Sequence, residues 1–170
     1  MPAVKVFIGG SRAVSRLNDR LRKRLDRIIA EHHEVLIGDA NGADRIVQQY
    51  LADHQYRAVT VYCTGGRCRN NVGQWTTIAI APPASVNGGF DFYAVKDREM
   101  AANATHGLML WDCKSRGTLT NIKNLVRDNK PVVVYLSPTK SFLNVKAPGD
   151  LDSLAAQVAP SAVRDLRRRA

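Results

Sequence analysis

Short apolar runs alternate with segments of helical periodicity along most of this chain, and that alternation constrains the fold more than any other feature. The runs are "VKVFI" at 4–8, "EVLI" at 34–37, "AVTVYC" at 58–63, "GLMLW" at 107–111 and "PVVVYL" at 131–136. Between them lie "LNDRLRKRLDRIIAEH", with Leu17, Leu21, Leu25, Ile28 and Ile29 on one face, a helix from 41 to about 53, "DFYAVKDREMAANA" and "GTLTNIKNLVRDN". Strands that are nearly all apolar and separated by helices imply a parallel sheet covered on both faces. The expected architecture is an α/β, three-layer Rossmann-like sandwich with a mostly parallel five-stranded sheet. By analogy with doubly wound folds its strand order is 3-2-1-4-5. "TTIAIA" at 76–81 is a candidate extra strand and "PPASVNGG" a loop. After Pro138 the alternation breaks. Residues 1–138 form the expected domain and 139–170 a C-terminal appendage packed on the same domain, with "SFLNVKA" as an edge strand and one or two short helices ending in the basic "RDLRRRA".

Composition narrows the partners. The chain has 170 residues, 45% of them hydrophobic, which suits one domain with a real core. It carries 25 Lys+Arg against 15 Asp+Glu, a net charge of +10. Such a surplus favours anions: nucleotides, nucleic acid or acidic surfaces. The basic residues are spread along the chain and aromatics are only 6%, which sets nucleic acid behind a small anionic ligand. Cys63, Cys68 and Cys113 are odd in number and without framework spacing, so reduced thiols are expected. No apolar run is long enough to span a membrane and the N-terminus lacks a secretory pattern, so a cytoplasmic location is expected. His32, His33, His54 and His106 show no metal-ligand spacing, and neither metal nor cofactor is expected.

In a doubly wound sheet the ligand crevice lies at the carboxyl ends of the strands. Four loops there carry unusual residues. They are "GGSR" (Gly9, Gly10, Ser11, Arg12), "GDANGAD" (with Gly38, Asp39, Asn41, Gly42 and Asp44), "GGRCRN" (with Arg69 and Asn70) and "WDCKSRGT" (with Trp111, Asp112, Ser115, Gly117 and Thr118). Glycines allow close backbone approach, helix N-termini offer free N–H groups to an anion, and arginines add forked donors. Structural readings stand beside the functional ones. Asn41 can cap the second helix with Asp44 completing the pair, Ser115 or Thr118 can cap the fourth, and Trp111 is either core or a stacking platform. No P-loop lysine motif and no nucleophile elbow is present.

Taken together, "VFIGGSR", "GDANGAD", the "RN" of the third loop and "KDREMAANATHGLMLWDCKSRGT" followed by "KPVVVY" resemble the SLOG superfamily, nearest the branch around YspA and the YpsA-related proteins. The match covers about residues 4–136, and "GAD" and "SRGT" carry most of it. The resemblance implies a homo-oligomeric Rossmann-like domain that binds a nucleotide or an NAD-derived phosphate, as a sensor or an enzyme. It implies phosphate at Gly117, Thr118 and Gly9 to Arg12, hydroxyl acceptance by Asp39 or Asp44, stacking on Trp111, and closure by Arg69 and Asn70. The same superfamily holds the "lonely guy" phosphoribohydrolases and the DNA-processing protein A family, which imply two alternatives: N-glycosidic hydrolysis of nucleoside monophosphates, or nucleic-acid binding. Set against the phosphoribohydrolase signature, Lys96 stands where the arginine is and Asn121 where the catalytic glutamate is. Hydrolysis builds positive charge on the sugar and calls for a carboxylate. Asp112, Asp44 and Lys96 are therefore the candidate catalytic residues.

Overall fold

Alternation along the first apolar run already dictates a sheet buried on both sides. Val6 and Ile8 point to one layer and Phe7 to the other, and all three are buried. The structure is a computed structural model that describes residues 2–82 and 89–156. It contains β1 (Lys5–Gly10), α1 (Asp19–Ala30), β2 (Glu34–Ile37), α2 (Ala43–Asp53), β3 (Val59–Thr64), β4 (Thr76–Ile80), α3 (Gly89–Asn103), β5 (His106–Trp111), α4 (Arg116–Arg127), β6 (Val132–Leu136), β7 (Ser141–Val145) and α5 (Asp150–Ala155).

The sheet has seven strands in the order β4-β3-β2-β1-β5-β6-β7. The expected five-strand order stands at its centre, and the sheet is wider than expected by one strand at each edge. "TTIAIA" supplies β4, parallel to β3, and "SFLNVKA" supplies β7, antiparallel to β6. The β6–β7 connection is short, so the chain can only turn back on itself there; a parallel return needs a crossover of a dozen or more residues.

Two cores fill the layers. On one face Leu21, Leu25 and Ile28 of α1 and Val47 and Leu51 of α2 pack on Val6, Ile8, Val35, Ile37 and Leu110. On the other, Met100 of α3, Leu119, Ile122 and Leu125 of α4 and Leu154 of α5 pack on Phe7, Met109, Trp111 and Val134. The i, i+4 spacing of Leu21 and Leu25 puts them on one side of α1. Asn18 starts that helix, its side chain accepting from the Leu21 N–H at 2.9 Å.

Two local expectations change. Asn41 does not cap α2; the cap position is Gly42, with φ +84° and no side-chain cap bond. A Cβ there would fall onto the backbone of Arg12, so the β1–α1 and β2–α2 turns approach closely only because position 42 is glycine. Cys63 and Cys68 are not separate thiols but form a disulfide, with Cα atoms 5.1 Å apart. The turn after β3 folds the chain back within five residues, a proximity that cysteine spacing alone does not reveal. Cys113 is free and buried. Among the described residues no helix is long and apolar enough to cross a membrane. The expected loop at 82–89 and the basic end "RDLRRRA" fall wholly or mostly outside the described residues.

Candidate functional site

The strand order reverses at β1, whose neighbours β2 and β5 lead to helices on opposite faces. A crevice opens at such a switch point because the two following loops part from each other. Here it is a cleft of about 880 Å³, lined by parts of the first, second, third and fourth loops and by α3 and α4.

One wall comes from β1 and the α4 turn. Gly9, Gly10 and Arg12 line it from one side, and Asp112, Ser115, Gly117 and Thr118 from the other. Ser11 ties these two loops together. Its hydroxyl donates to Asp112 Oδ1 at 3.1 Å and lies 3.3 Å from Thr118 Oγ1, while its backbone N–H donates to the Leu110 carbonyl at 2.9 Å. Ser11 is 1% exposed, so it braces the wall and does not form its surface. Ser115 caps α4, as the sequence allows, accepting from the Thr118 N–H at 3.4 Å and from the Thr118 hydroxyl at 3.1 Å. The first turn of α4 therefore presents N–H groups without intrahelical partners and a positive dipole end to the cleft. Burial works against the Asp112 charge, but N–H donors from Ser115 and Lys114 and the Ser11 hydroxyl outweigh it and hold the carboxyl below its ordinary value. Asp112 is an ionised anchor for the loop and a weak base.

The opposite wall is a buried charge network. Lys96 of α3 is 4% exposed, with Nζ 3.1 Å from Asp97 Oδ1 and 3.9 Å from Asp39 Oδ1. Asp44 sits beside it, its Oδ2 accepting from the Ala40 N–H at 3.1 Å. Gly38 makes room for both: a Cβ there would lie 2.6 Å from Asp44 Oδ2 and 2.7 Å from Lys96 Nζ. Burial pushes the Asp44 carboxyl up to about 6, against the pull of the Lys96 charge. Burial disfavours the Lys96 charge, yet the three carboxylates around it raise its pKa above the ordinary value, so it stays an ammonium. Asn121 donates to Asp97 Oδ2 at 3.1 Å. The Asn121 amide thus orients a carboxylate carried by α3.

Arg69 closes the third side. Its guanidinium donates to Asp39 Oδ1 at 2.8 Å and its backbone N–H to Asp39 Oδ2 at 2.8 Å. Burial opposes the Asp39 charge, and these Arg69 bonds overcome it and lower its pKa. Arg69 also lies over the Tyr93 ring at 4.2 Å, and Arg12 lies 6.0 Å from the same ring.

The structure gathers Gly9, Gly10, Arg12, Gly38, Asp44, Arg69, Lys96, Asp112, Ser115, Gly117 and Thr118 around one cleft. It does not bring the rest to its surface. Asp39 is 2% exposed and committed to Arg69, so a ligand hydroxyl cannot reach it as expected. Asn41 and Asn70 bond to each other at 3.0 Å, and Asn70 also to the Asp39 carbonyl; they stitch the second loop to the third. Gly42 is spent on the turn. Trp111 is wholly buried, its indole N–H donating to the Ser115 carbonyl at 2.9 Å, so it shapes the α4 turn and is no stacking platform. A strand-end tryptophan reads the same in sequence whether it faces core or crevice. Tyr93, Asp97, Arg98 and Arg127 line the cleft without having been expected there. Asp97 had a signal, standing next to Lys96; the others depend on where α3 and α4 lie. The Asp39 carboxylate and the two sulfurs of Cys63 and Cys68 fall within 4.8 Å of one another. The sulfurs are bonded together and Asp39 faces two cations, which does not suit a metal ion.

No protein-family model matches the chain, and no curated protein sequence matches it. A solved structure does. The chain is similar to DNA processing protein A from Helicobacter pylori, with a TM-score of 0.58 and 14% identity over 96% of this chain and 78% of that one. That protein is described for its single-stranded DNA binding mode. At this identity the likeness is one of fold: an α/β domain with a mostly parallel sheet.

Proposed function

We propose that this is a SLOG-type domain whose cleft binds a nucleotide or a nucleotide-derived phosphate. The observation that carries the reading is the polarity of the cleft. One end offers Arg12 and the first turn of α4 to an anion, and the other offers the carboxylates of Asp44 and Asp97, held beside the Lys96 ammonium and the Asn121 amide, to hydroxyl and ring donors. A volume of about 880 Å³ suits a ligand of mono- to dinucleotide size. Phosphate would lie against Gly9, Gly10, Gly117 and Thr118, with Arg12 forking onto it. Tyr93 takes the aromatic role that Trp111 does not fill. Titration calorimetry of the folded chain against nucleoside mono- and diphosphates and ADP-ribose phosphates tests this. Saturable binding that Arg12→Ala weakens about tenfold is the expected result, and heats no larger than dilution across the panel would overturn it.

A second reading, N-glycosidic hydrolysis, draws on one observation: Asn121 holds a carboxylate, Asp97, in the cleft beside Lys96. Asp44, raised by burial to about 6, would be the group able to hold and release a proton near neutral pH, and Asp97 the anion facing a cationic sugar. Asp112, held ionised by its loop, would serve only to position the phosphate end.

A further inference from the structure

Outside the cleft, a short basic stretch on and before α1 meets the β7 edge. The α1 sequence "DRLRKRLDRIIA" carries five basic side chains against two acidic ones, and Arg16 precedes it. The acids do not neutralise the outer stripe. Asp19 pairs with Arg22 at 2.9 Å, Arg27 with Glu31 at 2.9 Å, and Asp26 faces Tyr50 of α2 and His54 just after it. Arg16, Arg20, Lys23 and Arg24 have no carboxylate within 4.0 Å among the described residues.

The antiparallel edge strand β7 completes the surface. Phe142 of β7 is half-buried against Tyr135, with ring centroids 5.3 Å apart, and its own ring lies under two guanidiniums: Arg20 at 5.2 Å and Arg24 at 5.4 Å. Arg20 also donates to the Lys140 carbonyl at 3.4 Å, which brings the exposed Lys140 to the same edge. Arg20 and Arg24 stand four residues apart on α1, about 6 Å of helix rise, and Arg16 lies just before the helix. The aromatic ring braces two of these cations and lowers the entropy lost when they meet an anion.

From this we infer that the α1–β7 face is a binding surface for the phosphodiester backbone of nucleic acid, separate from the cleft. The chemistry favours that partner over other polyanions. Guanidiniums in a line match phosphates by forked hydrogen bonds. A lipid surface would need apolar side chains on the outside of α1, and Leu21, Leu25 and Ile28 are instead buried in the core. An acidic protein surface would need an apolar anchor to bind stably, and Phe142 is already covered by Arg20 and Arg24. Binding by backbone contacts is independent of base sequence and steeply salt-dependent.

The test is fluorescence anisotropy of a labelled oligothymidine and a labelled mixed-sequence duplex with the full chain, over a series of salt concentrations. Binding whose logarithm falls linearly with log salt is expected. Arg20→Glu with Arg24→Glu should weaken it at least tenfold and flatten the slope by about 2, since each phosphate contact contributes about 0.9. Arg45→Glu with Arg57→Glu changes net charge equally at exposed sites off this face and should lose less than threefold. Phe142→Ala should weaken binding a few-fold. Matching circular dichroism and melting confirm that each variant is folded. Equal losses in both double variants, no binding by the parent chain, or retention on anionic vesicles with none on DNA would each overturn the inference. Because Arg20 and Arg24 do not line the cleft, calorimetry with nucleotides on the same variant reads the cleft independently.

Discussion

At the scale of single residues, burial and partners decide what each carboxylate of the site can do. Asp112 and Asp44 lie on opposite walls of one cleft, and their environments push them in opposite directions. Asp112 gathers donors, so it favours the folded state above its unfolded pKa, and that contribution is lost as pH falls through its lowered folded value. Asp44 is the reverse. Its folded value of about 6 exceeds the ordinary 3.8, so its contribution is complete below the unfolded pKa and is lost as pH rises through about 6. The span of about two units corresponds to about 3 kcal/mol at the most. Asp44→Asn should therefore flatten the stability profile between about pH 4 and 6.5, with the variant gaining on the parent chain toward neutrality. Urea midpoints across that range measure it, and parallel curves for the two proteins would contradict the burial argument. The raised pKa was not legible in "GAD", because an aspartate near a helix start reads as a cap. Only the proximity of Lys96 and Asp97, brought from α3, shows what surrounds it.

At the scale of elements, the α4 turn couples stability to the site. Ser115 caps the helix and orients the Thr118 hydroxyl, while Asp112 and Trp111 hold the loop before it. Ser115→Ala should cost about 1 kcal/mol, the ordinary loss of a cap. The same change should weaken phosphate binding in the cleft, because the freed first turn no longer holds its N–H groups at a fixed anion position. Thermal melting and calorimetry on one preparation separate the two effects. A stability loss with unchanged affinity would remove Ser115 from the site. The capping role was legible in "SRGT", since a serine before a helical run offers a local acceptor. The α2 start was not, because Gly42 is fixed by a backbone approach from Arg12, thirty residues earlier.

At the scale of the molecule, β7 and α5, which follow Pro138, belong to the sheet and its core. β7 pairs with β6 along its length, Val145 and Leu154 are wholly buried, and α5 closes one end of a core layer. A chain ending at 138 exposes the outer edge of β6 and opens that layer. It should lose cooperative unfolding or aggregate, as read by denaturant titration and size-exclusion chromatography; a soluble, cooperatively folding 1–138 would make the tail a true appendage. By itself, the sequence determined the fold class, because hydrophobic periodicity is a local property that reports which faces are covered; the strand order rests on analogy with doubly wound folds. The sequence also placed the four glycine-bearing loops at one sheet edge, since parallel strands must end on the same side. Tertiary structure alone decided which residues of those loops face the cleft, and that Arg20 and Arg24 of α1 meet Phe142 of β7. Those facts depend on distances between segments far apart in the chain, and no local pattern of side chains encodes a distance.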